Sequence, residues 1–241
     1  MSQKYKRVLL KISGEALGST QIYDQSSITN VAKQIIELAQ SNIQVAVVVG
    51  GGNIWRGNLS HTLKMDNISG DYMGMMATIM NALALEAIIK SLGFEKVVVY
   101  SSLEIKTVTT PYNYRNARVL LEDGYIVLFS GGTGFSYFTT DTSAVIRAIE
   151  IKADALLMAK NGVKGVYDLD PKTNSNAKFL PKLTHKMLVE KKLRVMDLTA
   201  ATLASDANLD IVVFDMNGEN NIIKIVNDSL DATIISNSED N

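Results

Sequence analysis

Apolar residues along this chain fall into two patterns. The first is a set of short runs rich in Val, Ile and Leu, at residues 8–12, 43–49, 97–100, 125–129, 155–158 and 211–214, broken only by Lys11 and Gln44. A strand with one wet face alternates apolar and polar positions, whereas a strand covered on both faces reads as a continuous run. These runs predict a buried, mostly parallel sheet, and a shorter run at 233–235 predicts a final strand. The second pattern is helical: Ile28, Val31, Ile35, Ile36, Leu38 and Ala39 share one stripe of 3.6-residue period. Helical patterns separate most of the runs, as in successive βαβ units. The predicted class is α/β, and no low-complexity linker divides the chain.

Residues 71–90 break this rule. Met73, Met75, Met76, Ile79, Met80, Leu83, Leu85, Ile88 and Ile89 cover more than one helical face. Asp71, Asn81, Glu86 and Lys90 interrupt the stretch, which argues against a membrane span. A helix that is apolar nearly all round is buried in its own chain or against another subunit. We expect core on one side and a homodimer contact on the other. The end, residues 236–241, is polar and expected to fray.

Composition narrows the chemistry. At 241 residues the chain can bury a full core as one large domain or as two lobes sharing a sheet. Its net charge of −1 carries no electrostatic footprint for nucleic acid. It has no cysteine, which excludes a thiol nucleophile, a thiolate metal site and a disulfide framework. The two histidines, His61 and His185, have no carboxylate at metal-ligand spacing, so zinc carries little weight. Residues 1–5 lead directly into the first strand with no signal-peptide pattern, so the expected location is the cytoplasm.

Three turns carry the candidate chemistry, each where a run gives way to small residues. Free N–H groups and a helix dipole at strand ends make an anion site there. Lys11-Ile12-Ser13-Gly14 ends the first strand. Gly14 lets backbone approach a phosphate, and Lys11 places a positive charge between donor and acceptor phosphates; a solvated lysine beside an ordinary turn is the plainer alternative. This is not a Walker A loop, because no Gly-Lys-Ser/Thr occurs in the chain. Gly50-Gly51-Gly52-Asn53-Ile54-Trp55-Arg56-Gly57 follows the second strand. Three glycines cost chain entropy, which suits close approach to phosphate, with Arg56 closing the clamp through its planar fork. Trp55 stands where a dinucleotide fingerprint needs glycine. The third turn runs from Ser130-Gly131-Gly132-Thr133-Gly134 through Phe138-Thr139-Thr140-Asp141. Its glycines and threonine hydroxyls suit a ligand, and Phe135 and Phe138 either flank a planar base or sit in the core. Asp141 either caps a helix or orients Lys11 and a metal-bound water.

Two further segments stay open. Asp71, in Gly70-Asp71-Tyr72-Met73-Gly74, either caps the long apolar helix or holds ribose hydroxyls. Asn161-Gly162-Val163-Lys164-Gly165-Val166-Tyr167-Asp168-Leu169-Asp170-Pro171 reads as a hairpin leaving the sheet, with Tyr167 either on its surface or against adenine.

Taken together and in this order, these motifs resemble the bacterial UMP kinases of the amino-acid-kinase family. The likeness runs from Lys11-Ile12-Ser13-Gly14-Glu15-Ala16-Leu17 to the strand at 233–235. Its most specific parts are Gly70-Asp71-x-Met73-Gly74-Met75 with Ala77-Thr78-x-Met80-Asn81, then Thr133-Gly134 with Phe138-Thr139-Thr140-Asp141, then Val195-Met196-Asp197-Leu198. The resemblance implies a single amino-acid-kinase domain over 1–241, a three-layer sandwich around a mostly parallel sheet. Its N-terminal part would hold mainly the nucleoside monophosphate and its C-terminal part mainly ATP. It implies γ-phosphoryl transfer from ATP to UMP in pyrimidine nucleotide synthesis, with Mg²⁺ held mainly by phosphates and water, in a cytoplasmic homohexamer. By matching motifs, Lys11, Arg56 and Asp141 are the catalytic residues. Lys11, Ile12, Ser13, Gly14, Gly52, Arg56, Asn161, Tyr167 and Asp170 fall to ATP. Gly51, Asp71, Thr133, Gly134, Phe135, Ser136, Tyr137, Phe138, Thr139 and Thr140 fall to UMP. No residue is assigned as a direct metal ligand. Two departures stand out: the segment 18–24, in a region tied to nucleotide regulation, is short and poor in glycine, and Lys164 replaces the usual Asp of a Val-Asp-Gly turn. The competing readings are a kinase of this fold acting on N-acetylglutamate or aspartate, and a non-catalytic nucleotide sensor.

Overall fold

The computed structural model describes residues 4–18, 21–171, 173–191, 193, 195–218 and 220–237. Seven strands fall on the seven apolar runs: β1 (Arg7–Ile12), β2 (Gln44–Val49), β3 (Val97–Ser101), β5 (Ile126–Ser130), β6 (Ala155–Lys160), β10 (Asp210–Asp215) and β11 (Thr233–Ser236). Two short strands, β4 (Thr110–Pro111) and β9 (Lys182–Thr184), complete a nine-stranded sheet of order β4-β3-β5-β2-β1-β6-β10-β11-β9. All pairings are parallel except β10 with β11. A separate antiparallel ribbon joins β7 (Val166–Tyr167) to β8 (Phe179–Leu180), so residues 161–171 do leave the sheet through a hairpin.

The layers follow from strand pleating. On β1, Val8, Leu10 and Ile12 enter one apolar core and Leu9 enters the other. The first core is roofed by α1 (Gln25–Gln40), α3 (Asn67–Ser91) and α8 (Asn221–Val226). The second is roofed by α4 (Tyr114–Glu122), α5 (Thr140–Ile151), α6 (His185–Glu190) and α7 (Leu198–Asp206). Helices on both faces explain why the central strands lack alternation. A short helix, α2 (Asn58–Thr62), lies between β2 and α3.

Two sequence expectations need correction. The long helix begins at Asn67 and is capped by Asp66, whose carboxylate accepts from the Ser69 N–H at 2.9 Å. Asp71 therefore sits inside the helix and is not its cap. The first two glycine turns open only short helices, a 3₁₀ turn after the first and the five-residue α2 after the second, with Gly57 at its N-cap. After β1 comes a single 3₁₀ turn (Gly14–Leu17), and after β2 the loop runs to residue 57. Among the described residues, two long helices bring N-terminal residues to the site: α5 its first turn, and α3 Gly70, Asp71 and Gly74. The α3 helix is long and apolar enough to cross a membrane by length and composition. Ala82, Leu85 and Ile89 are instead packed into the first core. Of the polar tail, residues 238–241 lie outside the described residues.

Candidate active site

The central strands all point their carboxyl ends to one edge, and β1 is the place where strand order reverses: β2 lies on one side and β6 on the other. A crevice opens at such a switch point. Lys11 stands near the end of β1, facing Val48 and Met158 across its two ladders. Its ammonium reaches the Asp141 carboxylate at 2.7 Å, with both side chains mostly buried. Asp141 is placed by the start of α5. The Thr139 hydroxyl caps that helix, accepting from the N–H groups of Asp141 at 3.1 Å and Thr142 at 3.2 Å. Capping thus belongs to Thr139, which leaves Asp141 free to pair with Lys11.

Two cavities are lined by neighbours of this pair: Thr140, next to Asp141, borders the smaller, and Lys160, whose charge senses both Asp141 and Lys11, borders the larger. The smaller, about 230 Å³, is lined by Gly51, Gly52, Trp55, Asp71, Thr78, Gly132, Phe138, Thr139 and Thr140 among others. The larger, about 590 Å³, is lined by Lys160, Asn161, Tyr167, Asp170 and Val195 among others. Asn161, Tyr167 and Asp170 therefore share one space, whereas Gly52 opens into the other one, beside Gly51. No atom lies within 4 Å of a Cβ built on Gly52, so its backbone borders open volume. Gly14 is the opposite case: a Cβ there would meet the Asn53 Oδ1 at 2.2 Å and the Gly50 carbonyl at 2.6 Å. Glycine lets the first two turns touch.

Around the smaller cavity the backbone is tightly fixed. The Asp71 carboxylate accepts from the Tyr137 N–H at 2.7 Å and holds Tyr137 at φ +68°, a conformation costly for a bulky residue. Thr133 fastens the loop tip through its hydroxyl, bonding both N–H and carbonyl of Phe135 at 3.1 Å. Phe135 is 71% exposed and Phe138 47%. Neither belongs to the core, which leaves both rings unspent at the rim. Ser136 lies between them on the same loop. The Thr78 hydroxyl accepts from the Gly131 N–H at 2.9 Å, tying the loop to α3.

Other predicted residues sit less centrally. Arg56 is exposed and spans the crevice mouth, with its guanidinium 2.5 Å from Glu15 and its Nε donating to the Gly52 carbonyl. A solvent-exposed pair of this kind is weak and readily exchanged for a phosphate. Ile12 is core, while the neighbouring Ser13 hydroxyl is buried with no partner among the described residues. Tyr167 packs edge-on against Phe179 at 5.6 Å, which fixes its ring at the larger cavity. The side-chain Oδ1 of Asn161 accepts from the side-chain amide of Asn217. Lys164 is exposed and pairs with Asp231 at 3.2 Å.

Lys160 escaped the sequence reading. It ends β6, lines the larger cavity and donates to the Val195 carbonyl at 2.5 Å. Burial pulls its pKa below the usual lysine value; Asp141 opposes that pull and Lys11 adds to it. One carboxylate thus sits among two ammonium groups. Asp197 has a matching role: it caps α7 through the Ala200 N–H and accepts from the hydroxyls of Thr139 and Thr142. The segment 195–197 holds both Lys160 and the start of α5. A charge cluster of this kind, between a large and a small cavity, suits transfer of an anionic group from one ligand to another.

Comparison with known proteins agrees with this geometry. Residues 6–215 match the amino acid kinase family, and the chain belongs to that family. Within it, the chain is 62% identical to the uridylate kinase of Mesoplasma florum, over 98% of this chain and 99% of that protein. Among solved structures, it is similar to UMP kinase from Ureaplasma parvum, with 39% identity, a TM-score of 0.92 and coverage of 97% of this chain and 99% of that one. It is equally similar in shape to UMP kinase from Bacillus anthracis, with 37% identity, a TM-score of 0.93 and 97% of each chain covered.

Proposed function

We propose that this chain transfers the γ-phosphoryl group of ATP to UMP, giving UDP and ADP. The observation that carries the reading is the Lys11–Asp141–Lys160 cluster between the two cavities. ATP takes the larger, with adenine and ribose toward Tyr167, Asn161 and Asp170, and its phosphates reach Lys11 and the 12–14 backbone. UMP takes the smaller, with ribose at Asp71, phosphate toward Gly51 and Gly52, and base beside residues 133–140. All of 1–241 then acts as one domain, with the acceptor mainly in its N-terminal part and ATP mainly in its C-terminal part.

Phosphoryl transfer asks for positioning and charge stabilisation rather than covalent chemistry. Lys11 neutralises charge that gathers on the transferred group, Lys160 does so from the ATP side, and Arg56 turns from Glu15 to the phosphates. The acceptor phosphate is already ionised, so no general base is needed. Among the described residues, no three His, Cys, Asp or Glu side chains cluster as a metal cage. Mg²⁺ would enter with ATP, since it keeps several waters and binds through substrate phosphates with one or two carboxylates. Asp141 is the carboxylate placed to hold it through water, and the ion would supply charge neutralisation at the phosphates. The proposal includes a cytoplasmic location.

The test is ADP release with UMP, aspartate or N-acetylglutamate as acceptor. Turnover is expected with UMP alone, because Asp71 in the acceptor cavity repels a carboxylate substrate. Turnover with either acid, or with none of the three, overturns the reading.

The same proposal includes a homo-oligomer, hexameric and built from dimers. Ile68, Tyr72, Met76 and Met80 recur every four residues on α3, with Met73 beside them, and all are 41–51% exposed. A wet apolar stripe of that length marks an interaction surface. Light scattering at micromolar concentration should give a multiple of the monomer mass. Met80→Glu should lower that mass while circular dichroism stays native. A wild-type monomer would refute the assembly.

A further inference from the structure

We propose that Arg147 is a positioning residue for the UMP loop, acting through the Ser102 hydroxyl on the Gly132 carbonyl. The proposal rests on the assignment of the smaller cavity to UMP. Arg147 lies on α5 and is only 5% exposed. A charge so deeply placed must be compensated. Its Nη1 donates to the Glu150 carboxylate at 2.7 Å, and its guanidinium stacks on Tyr112 with 3.6 Å to the ring centroid. The Tyr112 hydroxyl donates to the same carboxylate. Nothing in these contacts requires the second arm of the fork. That arm, Nη2, donates to the Ser102 Oγ at 2.8 Å, and Ser102 in turn donates to the Gly132 carbonyl at 2.9 Å; the direct approach of Nη2 to that carbonyl is longer, at 3.4 Å, so the hydroxyl is the closer link.

Gly132 lines the smaller cavity, in a loop where Gly131, Gly132 and Gly134 all take positive φ. Such a stretch has no intrinsic conformational preference to hold it, so its shape must come from contacts. The relay supplies them from behind: Arg147 polarises the Ser102 hydroxyl, and the hydroxyl fixes the Gly132 carbonyl. A guanidinium is needed rather than an ammonium, because one group must meet Glu150 and Ser102 in two fixed directions while lying flat on a ring. The consequence is specific. Loosening the relay should weaken UMP binding and leave the ATP cavity and the Lys11–Asp141 pair untouched.

Arg147→Lys keeps the charge near Glu150 and loses the fork, and Ser102→Ala removes only the relaying hydroxyl. Both are measured for kcat, KM for UMP, KM for ATP and melting temperature. Trp55, the single tryptophan of the chain and a wall of the smaller cavity, reports UMP binding directly by its emission. In each variant we expect KM for UMP to rise about tenfold, as for loss of one charge-assisted bond. KM for ATP and kcat should stay within about twofold of wild type. A merely structural role would lower melting temperature or active fraction and would leave KM for UMP unchanged. Unchanged KM for UMP in Ser102→Ala, or equal loss for both substrates, overturns the proposal. If the wild type neither binds nor turns over UMP, the functional assignment fails instead. If Arg147→Lys does not fold, Ser102→Ala decides alone.

Discussion

Lys11→Ala should fold normally and lose most of its turnover. The strand beneath it keeps its core through Val8, Leu9, Leu10 and Ile12, all fully buried. The lysine itself contributes one ion pair, to Asp141, and Lys160 remains nearby to share that charge. The melting temperature is therefore expected to stay within about 5 °C of wild type. Catalysis has no such reserve. Removing one preorganised donor from the position where charge develops typically costs about 10²–10³ in kcat. Asp141→Asn should fall by a similar factor for a different reason. The two ammonium groups would then face each other without their shared carboxylate. Lys160, already pushed below its usual pKa by burial, would lose its proton more easily. Because the protonated form is the useful one, activity survives below that pKa and disappears as pH rises through it. The alkaline limb of the kcat/KM profile should move to lower pH in Asp141→Asn. Near-normal kcat in a folded Lys11→Ala would show that another cation does this work.

The layout of the central strands was legible because burial on both faces leaves a mark on composition. The short strands were not. Residues 110–111 and 182–184 pair at the sheet edges through backbone contacts that two or three side chains cannot announce. The start of α3 was misplaced because the apolar pattern begins after its cap. Asp66 and Ser69 form a good N-terminal pair, yet they lie among polar residues that read as loop. The glycine turns stood out since glycine after a buried strand has few uses. Lys160 did not, because one lysine after an apolar run looks like any strand end. Its burial depends on Val195, far away in sequence. Arg147 was hidden for the same reason: its partners at 102, 112 and 150 meet only once β3, β4 and α5 are stacked. What a sequence marks best is backbone need. What it hides is charge compensated across elements.

The largest discrimination expected is UMP over CMP, by up to about 10⁴ in kcat/KM. The two bases differ in polarity along one edge: uracil presents N3–H and O4, where cytosine presents N3 and N4–H₂. A reader built for one leaves its own polar groups unpaired against the other, and a buried unpaired group costs far more than a lost methyl contact. The expected reader is the stretch 133–140, within the loop 131–140. Its backbone groups are held in place rather than adaptable: Gly131 by Thr78, Gly132 by Ser102, Phe135 by Thr133 and Tyr137 by Asp71. A loop pinned at four points is poorly able to rearrange its donors and acceptors to suit cytosine. Phe135 and Phe138 add no discrimination of their own, because a ring face stacks on either base, so Phe138→Leu should weaken both nucleotides alike. Asp71→Asn is expected to behave differently. It weakens the bond that holds Tyr137 at positive φ, so the base-reading groups gain freedom and the preference for UMP should narrow as well as the affinity. Initial rates with both nucleotides, for wild type and the two variants, separate stacking from edge recognition. Equal kcat/KM for UMP and CMP in the wild type would mean that this loop grips the ribose and phosphate but does not read the base.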